Sequence, residues 1–293
     1  MATINALVAK ARRRLRGSKR EPFRLLSEAV PSGQTFLRLT APPSKVQVDD
    51  YLCLGAEILV VTSVDEEQNQ LNVLRGVDDT PQPTTHAAGT RVEINWRWFT
   101  ADLLDHLTDE IRSWGDGIYG VKDVTVSLGA TSRAVDLPLT RFLWPLELRQ
   151  KVSTRAWKTV PARSFRVEQG LPTSEFASGN ALILPRQSFA STLILTYAQS
   201  FDVSAVDSLT TDLATVGITE RLHDAAFYGI AWRALSSEES SRLDDGSQPE
   251  PRAADEVEPG DQMRAASAYK AIRDLRLEEE KRRLRTLYPM KVA

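Results

Sequence analysis

Between Pro22 and Asn95 no apolar periodicity lasts long enough to make a helix, and this constrains the fold more than any other feature of the chain. The segment is instead a series of short alternating runs separated by turn chemistry. Thr35 to Leu39 alternates, Pro42-Pro43 breaks it, and Asp49-Asp50 turns into Tyr51 to Leu54. Glu57 to Val64 is a β-branched run, Asp65 to Gln70 a polar turn, and Leu71 to Leu74 the returning strand. A polar loop from Gly76 to Gly89 leads to a last strand within Thr90 to Trp96. Strands at this spacing predict a small antiparallel barrel or sandwich over residues 22–98.

Helical spacing brackets that domain. Ile4, Leu7, Val8, Ala11 and Leu15 predict a short amphipathic helix before it, stopped by Gly17. After it, Leu103, Leu104, Leu107, Ile111 and Trp114 form one stripe, with Thr100 as the expected N-cap and Gly115-Asp116-Gly117 as the stop. A second β-rich region follows, with strands expected within Val121–Leu128, Ala134–Leu137, Leu146–Val152, Phe165–Val167, Ala181–Leu184 and Ser191–Tyr197. Asp207–Leu213 and Thr219–Leu235 read as helices, completing an α+β core over residues 99–235. Residues 236–262 read as an acidic linker, and residues 263–293 carry a long, highly charged C-terminal helix. The expected fold is therefore α+β: a helical core with an inserted N-proximal β-domain, a second β-region and a projecting C-terminal helix.

Charge is segregated along the chain. Lys10, Arg12, Arg13, Arg14, Arg16, Lys19 and Arg20 crowd a stretch of twenty residues that contains no acid, whereas nine acids lie between Ser236 and Gln262. Blocks of like charge repel and sit at interfaces or on solvated faces. The basic patch has three readings: docking on protein, contact with DNA or a capsid lumen, or plain solvation. No aromatic is interleaved there to stack bases. On the C-terminal helix, Tyr269, Ile272 and Leu275, with Leu284 and Leu287 beyond a shift in the stripe, are too narrow an apolar set for a central core helix. They are the candidate partner-docking residues, on a helix expected to assemble rather than to fill its own subunit's core.

The search for chemistry returns little. His86, His106 and His223 have no partner at metal-ligand spacing, and the single Cys53 lies in an apolar run as a small hydrophobe. There is no nucleophile elbow, phosphate loop or dinucleotide fingerprint. Asp102, Asp105, Asp109 and Glu110 crowd one helix and read as its solvated face. No catalytic residue, metal or cofactor is expected, no stretch approaches the ~18 apolar residues of a membrane span, and Met1 to Arg16, lacking a continuous apolar run, does not read as a signal peptide.

Three segments of the β-domain also carry a resemblance. Ile58 to Val64 (ending Val-Thr-Ser-Val), Leu71-Asn72-Val73-Leu74-Arg75-Gly76 and His86-Ala87-Ala88-Gly89-Thr90-Arg91-Val92 together resemble β-modules in virion proteins of phages that infect actinobacteria and related hosts. Leu103 to Trp114 resembles the helix of tailed-phage head-to-tail adaptor (connector) proteins, and Arg282 to Pro289 their C-terminal helix. The resemblance implies a non-enzymatic virion protein of the phage neck, assembled in the host cytoplasm. It would form a ring of about twelve copies, in keeping with the closed symmetry of homo-oligomers. Its neighbours would be the portal protein on one side and a stopper or tail-terminator protein on the other, the ring extending the DNA channel. Two other functions stay open: a tail or baseplate protein whose β-domain binds glycan through Trp96, Trp98 or Phe99, and a DNA-binding protein resting on the basic helix.

Overall fold

The computed structural model describes residues 2–16, 23–78, 80, 84–115, 117–128, 133–139, 141–153, 156–184, 192–244 and 261–289. The chain mixes helices and antiparallel sheets and divides into two compact units. The first comprises Met1–Trp114, Val203–Val216 and Glu220–Leu277; the second comprises Gly115–Asp202, Gly217–Thr219 and Glu278–Ala293.

In the first unit, strands β1 (Phe23–Leu25), β2 (Phe36–Arg38), β3 (Tyr51–Leu54), β4 (Glu57–Asp65), β5 (Gln70–Arg75) and β6 (Arg91–Ile94) form one antiparallel sheet in the order β1-β6-β3-β4-β5-β2. Its two outer strands meet through a bridge between Leu26 and Leu39, where Ser27 N donates to Arg38 O at 2.8 Å and Thr40 N to Leu25 O at 2.9 Å. The sheet thus closes on itself. Alternate residues point inward, and Leu26, Leu37, Leu52, Leu54, Leu59, Val61, Leu71 and Val92 fill the interior.

Helix α1 (Ile4–Arg16) buries Ile4, Leu7, Val8 and Ala11, and Thr3 Oγ1 caps it by accepting from Ala6 N at 3.2 Å. Both α1 and α2 (Thr100–Arg112) pack on α4 (His223–Asp244). Thr100, expected as the cap of α2, is instead its first helical residue. Its hydroxyl donates to Glu93 Oε1 at 2.6 Å, while the Asp102 carboxylate accepts from Phe99 N at 3.2 Å. Helix α4 runs past Leu235 into the span expected as an acidic linker. Beyond Leu235 no Gly or Pro occurs before Gly246, and the Ser237 hydroxyl satisfies itself on Ala234 O at 3.0 Å. The remainder of that linker, residues 245–260, lies outside the described residues.

The helix expected over Asp207–Leu213 is replaced by a 3-10 turn, Val203–Asp207, and a single helical turn, α3 (Leu213–Val216). The carbonyls between them are engaged by the start of α1: Ile4 N donates to Thr211 O and Asn5 N to Leu209 O, both at 3.0 Å. Those carbonyls are then unavailable for a helical ladder.

The second unit holds the other β-region. Strands β7 (Gly120–Ser127), β9 (Phe142–Ser153), β10 (Ala156–Val160) and β13 (Thr192–Gln199) form a sheet in the order β10-β9-β13-β7. Strands β8 (Ala134–Asp136), β11 (Arg166–Gln169) and β12 (Asn180–Ile183) form another, ordered β11-β12-β8. One core is shared by the two, with Val126, Leu148, Leu193 and Leu195 from the first and Leu182 from the second.

Helix α5 (Asp261–Leu287) contributes residues to both units. Its buried residues are Ala266, Leu277, Glu280 and Leu284, with Tyr269 and Arg273 half-buried between them. This corrects the expectation of a helix held apart from its own subunit. The inward face follows a 3.6-residue period through those positions and is offset from the Ile272–Leu275 stripe.

Candidate functional site

The buried charges of the first unit form three clusters, each joining segments far apart in sequence. The first joins Arg75 and His86, from two of the segments that carry the phage-module resemblance, to Glu57, the residue before the third. Glu57 opens β4 with its side chain 2% exposed, and Arg75 ends β5 beside it. Arg75 Nε donates to Glu57 Oε1 at 2.8 Å and its terminal nitrogen to Oε2 at 2.7 Å, a bidentate pair. The same guanidinium donates to the carbonyls of Pro31 and Thr84, each at 2.7 Å. His86 Nε2 lies 2.9 Å from Glu57 Oε2, and the His86 backbone bridges to Val30. Burial alone would raise the Glu57 carboxyl, but hydrogen bonds from Arg75 and His86 outweigh it and hold the pKa at about 2. A carboxylate held this way has no proton to donate near neutral pH. The cluster pins the loops around Pro31 and Thr84 to the barrel wall.

The second cluster takes one residue, Arg12, out of the expected basic face and into the core. Arg12 is only 8% exposed, pairs with Glu93 at 3.0 Å, donates to Thr100 Oγ1 at 2.5 Å and lies over the Trp96 ring at 4.4 Å. Lys10 pairs with Asp224 at 3.3 Å, and Arg14 donates to Tyr269 Oη at 3.0 Å. Arg13 faces solvent, Arg16 ends α1, and Lys19 and Arg20 lie outside the described residues. Of the four cations whose side chains are described, Arg12 is turned inward, whereas Lys10, Arg13 and Arg14 are exposed. Arg12 fastens α1 to β6 and to the start of α2.

Trp96, Trp98 and Phe99, the candidate glycan platform, are 4%, 5% and 9% exposed. Trp96 and Phe99 pack with Cys53, Ile58 and Ala101, an apolar seam between barrel and helix. Burial pushes the Cys53 thiol far above its ordinary range, so it is an inert core group.

The third cluster was missed by the sequence reading, which put Glu110 on a solvated face. Glu110 is fully buried. It accepts from Trp114 Nε1 at 2.7 Å, Arg233 Nε at 3.1 Å and Arg273 Nε at 2.6 Å, joining α2, α4 and α5. The signal was present: position 110 lies three residues after Leu107 and four before Trp114, on the apolar stripe itself. Gly229 of α4 makes room for it. A Cβ there would lie 2.7 Å from Glu110 Oε1 and closer still to Cγ and Cδ. Since Glu110 is clamped from three sides and cannot yield, Gly229→Ala is expected to destabilise the protein by about 1–3 kcal/mol, read as a lower urea midpoint with unchanged slope.

The five candidate docking residues separate into two sets. Leu284 is 1% exposed and packs with Tyr119 and Ala198, while Tyr269 stacks at 5.8 Å on Tyr228. Ile272, Leu275 and Leu287 face outward at 36%, 57% and 54% exposure. Among the described residues no group of three or more His, Cys, Asp or Glu is placed to hold a metal ion. No described helix is long and apolar enough to cross a membrane.

No family model and no curated protein matches this chain. Among solved structures it is similar to a chain described as "Neck of empty GTA particle computed with C6 symmetry". That likeness has 13% identity and a TM-score of 0.23, and covers 58% of this chain and 77% of the other.

Proposed function

We propose that this protein is a structural subunit of a tailed-phage particle, an adaptor in the neck that forms a ring between portal and stopper or tail. The observation that carries the reading is the outer face of α5. Ile272 and Leu275 lie exposed there, with exposed Ala268 and Ala271 beside them, on a helix whose opposite face is tied to its own unit through Arg273 and Glu110. An apolar stripe with charge on either side suits a groove on a neighbouring protein, anchored by a few side chains. The buried charges support the same reading, since each described cluster clamps secondary structure instead of opening onto a site. The ring, of about twelve copies in keeping with closed cyclic symmetry, would extend the DNA channel and present a docking face to the next ring, with no catalytic step and no cofactor.

The test is Ile272→Asp. Ile272 is 36% exposed in the single chain, so the variant is expected to keep its unfolding free energy within about 0.5 kcal/mol. Light scattering after size exclusion, alone and with portal rings, should show that the variant neither closes rings nor joins the portal, whereas the parent does. A parent protein that stays monomeric and ignores portal rings would overturn the proposal.

A further inference from the structure

One end of the barrel has an arrangement that the assembly role does not use. In β1, Phe23 and Leu25 point outward while Arg24, opposite Val92, points toward the interior. With Ser44 and Lys45 from the β2–β3 connection, and Ile94 and Asn95 at the end of β6, Arg24 lines a recess of about 310 Å³. Barrel mouths are preferred places for small-ligand sites, and this volume sits at the small end of their range.

The lining is rich in donors and holds no acid. Arg24 is fixed by neutral acceptors only: Nε donates to Pro42 O at 3.2 Å, and the terminal nitrogens to Phe23 O at 3.1 Å and Ser44 Oγ at 3.2 Å. Its charge meets no carboxylate among the described residues. Lys45 makes no ion pair with a described residue either, and its backbone is left-handed with φ 72°. Asn95, at φ 47°, accepts from Tyr51 N through Oδ1 at 3.0 Å, and its amide nitrogen donates to no described residue. Two cations and the Asn95 amide therefore line the recess without a counter-charge among the described residues, and the arginine is already oriented by three hydrogen bonds. Held donors of this kind favour an oxyanion, because little ordering remains when it binds. No aromatic lines the recess to stack a base, and Ile94 is its only apolar residue.

We propose that the barrel mouth binds the carboxylate or phosphate of a monosaccharide-sized ligand, an acidic or phosphorylated sugar, through Arg24, Lys45 and Asn95. The proposal is independent of the neck assignment.

The full-length, 15N-labelled protein is titrated at constant ionic strength with inorganic phosphate, glucuronate, glucose 6-phosphate and neutral glucose. Saturable shifts of the Lys45 and Asn95 amides are expected with the anions and none with glucose. A response to glucuronate alone assigns a carboxylate, and a response to the two phosphate compounds alone assigns a phosphate group; either supports the site. Lys45→Asn, a residue tolerant of the left-handed backbone, is expected to weaken binding about tenfold, and Arg24→Gln likewise. Should Arg24→Gln fail to fold, Lys45→Asn decides the matter, since that side chain holds nothing else in place. Unsaturated shifts spread over many basic residues, or unchanged affinity in Lys45→Asn, would overturn the proposal.

Discussion

Replacing Glu110 with alanine is expected to lower the unfolding free energy by about 3–5 kcal/mol, the cost of breaking a buried ion pair from one side. The side chain is fully buried and accepts from Trp114, Arg233 and Arg273 together. Its loss removes the carboxylate between Arg233 and Arg273, leaves Arg273 with Asp274 and Ser113 alone, and takes the Glu110 acceptor from the Trp114 indole N–H. Glu110→Gln keeps an acceptor for the indole but not the charge, and so should fall between parent and alanine variant. The measurement is urea unfolding. Adding Arg273→Met to Glu110→Ala should recover part of the loss, because one of the two like charges that faced Glu110 goes with it. A loss below about 1 kcal/mol for the alanine variant, the level of an exposed pair, would show that Glu110 is not the anchor described.

The second large effect is acid sensitivity through Glu57. Its carboxyl titrates at about 2 in the folded protein against an ordinary 4.5. A group whose pKa is lowered by folding stabilises the native state above its unfolded value, and that contribution is lost as pH falls through the folded one. The window therefore runs from about pH 4.5 down to about pH 2. The shift corresponds to about 3 kcal/mol. Glu57→Gln should cost that amount near neutral pH. The gap between variant and parent should narrow steadily below pH 4.5. Urea midpoints of both proteins at several pH values give the comparison, and a gap independent of pH would rule out the ion cluster as its source.

Much of the architecture was legible because its strands alternate. Tyr51–Leu54 and Glu57–Val64 were read to within a residue of β3 and β4, and Ile4–Leu15 matches α1. What escaped was short, exposed or decided by distant partners. Strand β1 has three residues, and β10 is exposed at four of its five positions, so neither leaves an apolar pattern. The segment before Leu213 carries no local reason to avoid a helix; its carbonyls are engaged by the amides of α1, some two hundred residues earlier. The charge clusters were the hardest to see. Glu57 and Arg75 meet only through the pairing of β4 with β5, and His86 reaches them from a loop bridged to Val30. Glu110 could have been found by asking which acid shares the apolar stripe of its helix, and Gly229 shows that α4 is built around that acid.

The bridge between Leu26 and Leu39 has a consequence for crowding. An open antiparallel sheet offers unpaired N–H and C=O groups along its two outer strands, a template on which another chain can polymerise. Joining β1 to β2 removes that template from the barrel. Many copies could then stand side by side at high local concentration without the barrels recruiting one another into fibres. The sheets of the second unit differ: among the described residues β7, β10, β8 and β11 each pair on one side only. If newly made chains aggregate, the seeds should come from those strands, and Lys122 and Lys158, set along β7 and β10, are charges placed to discourage it.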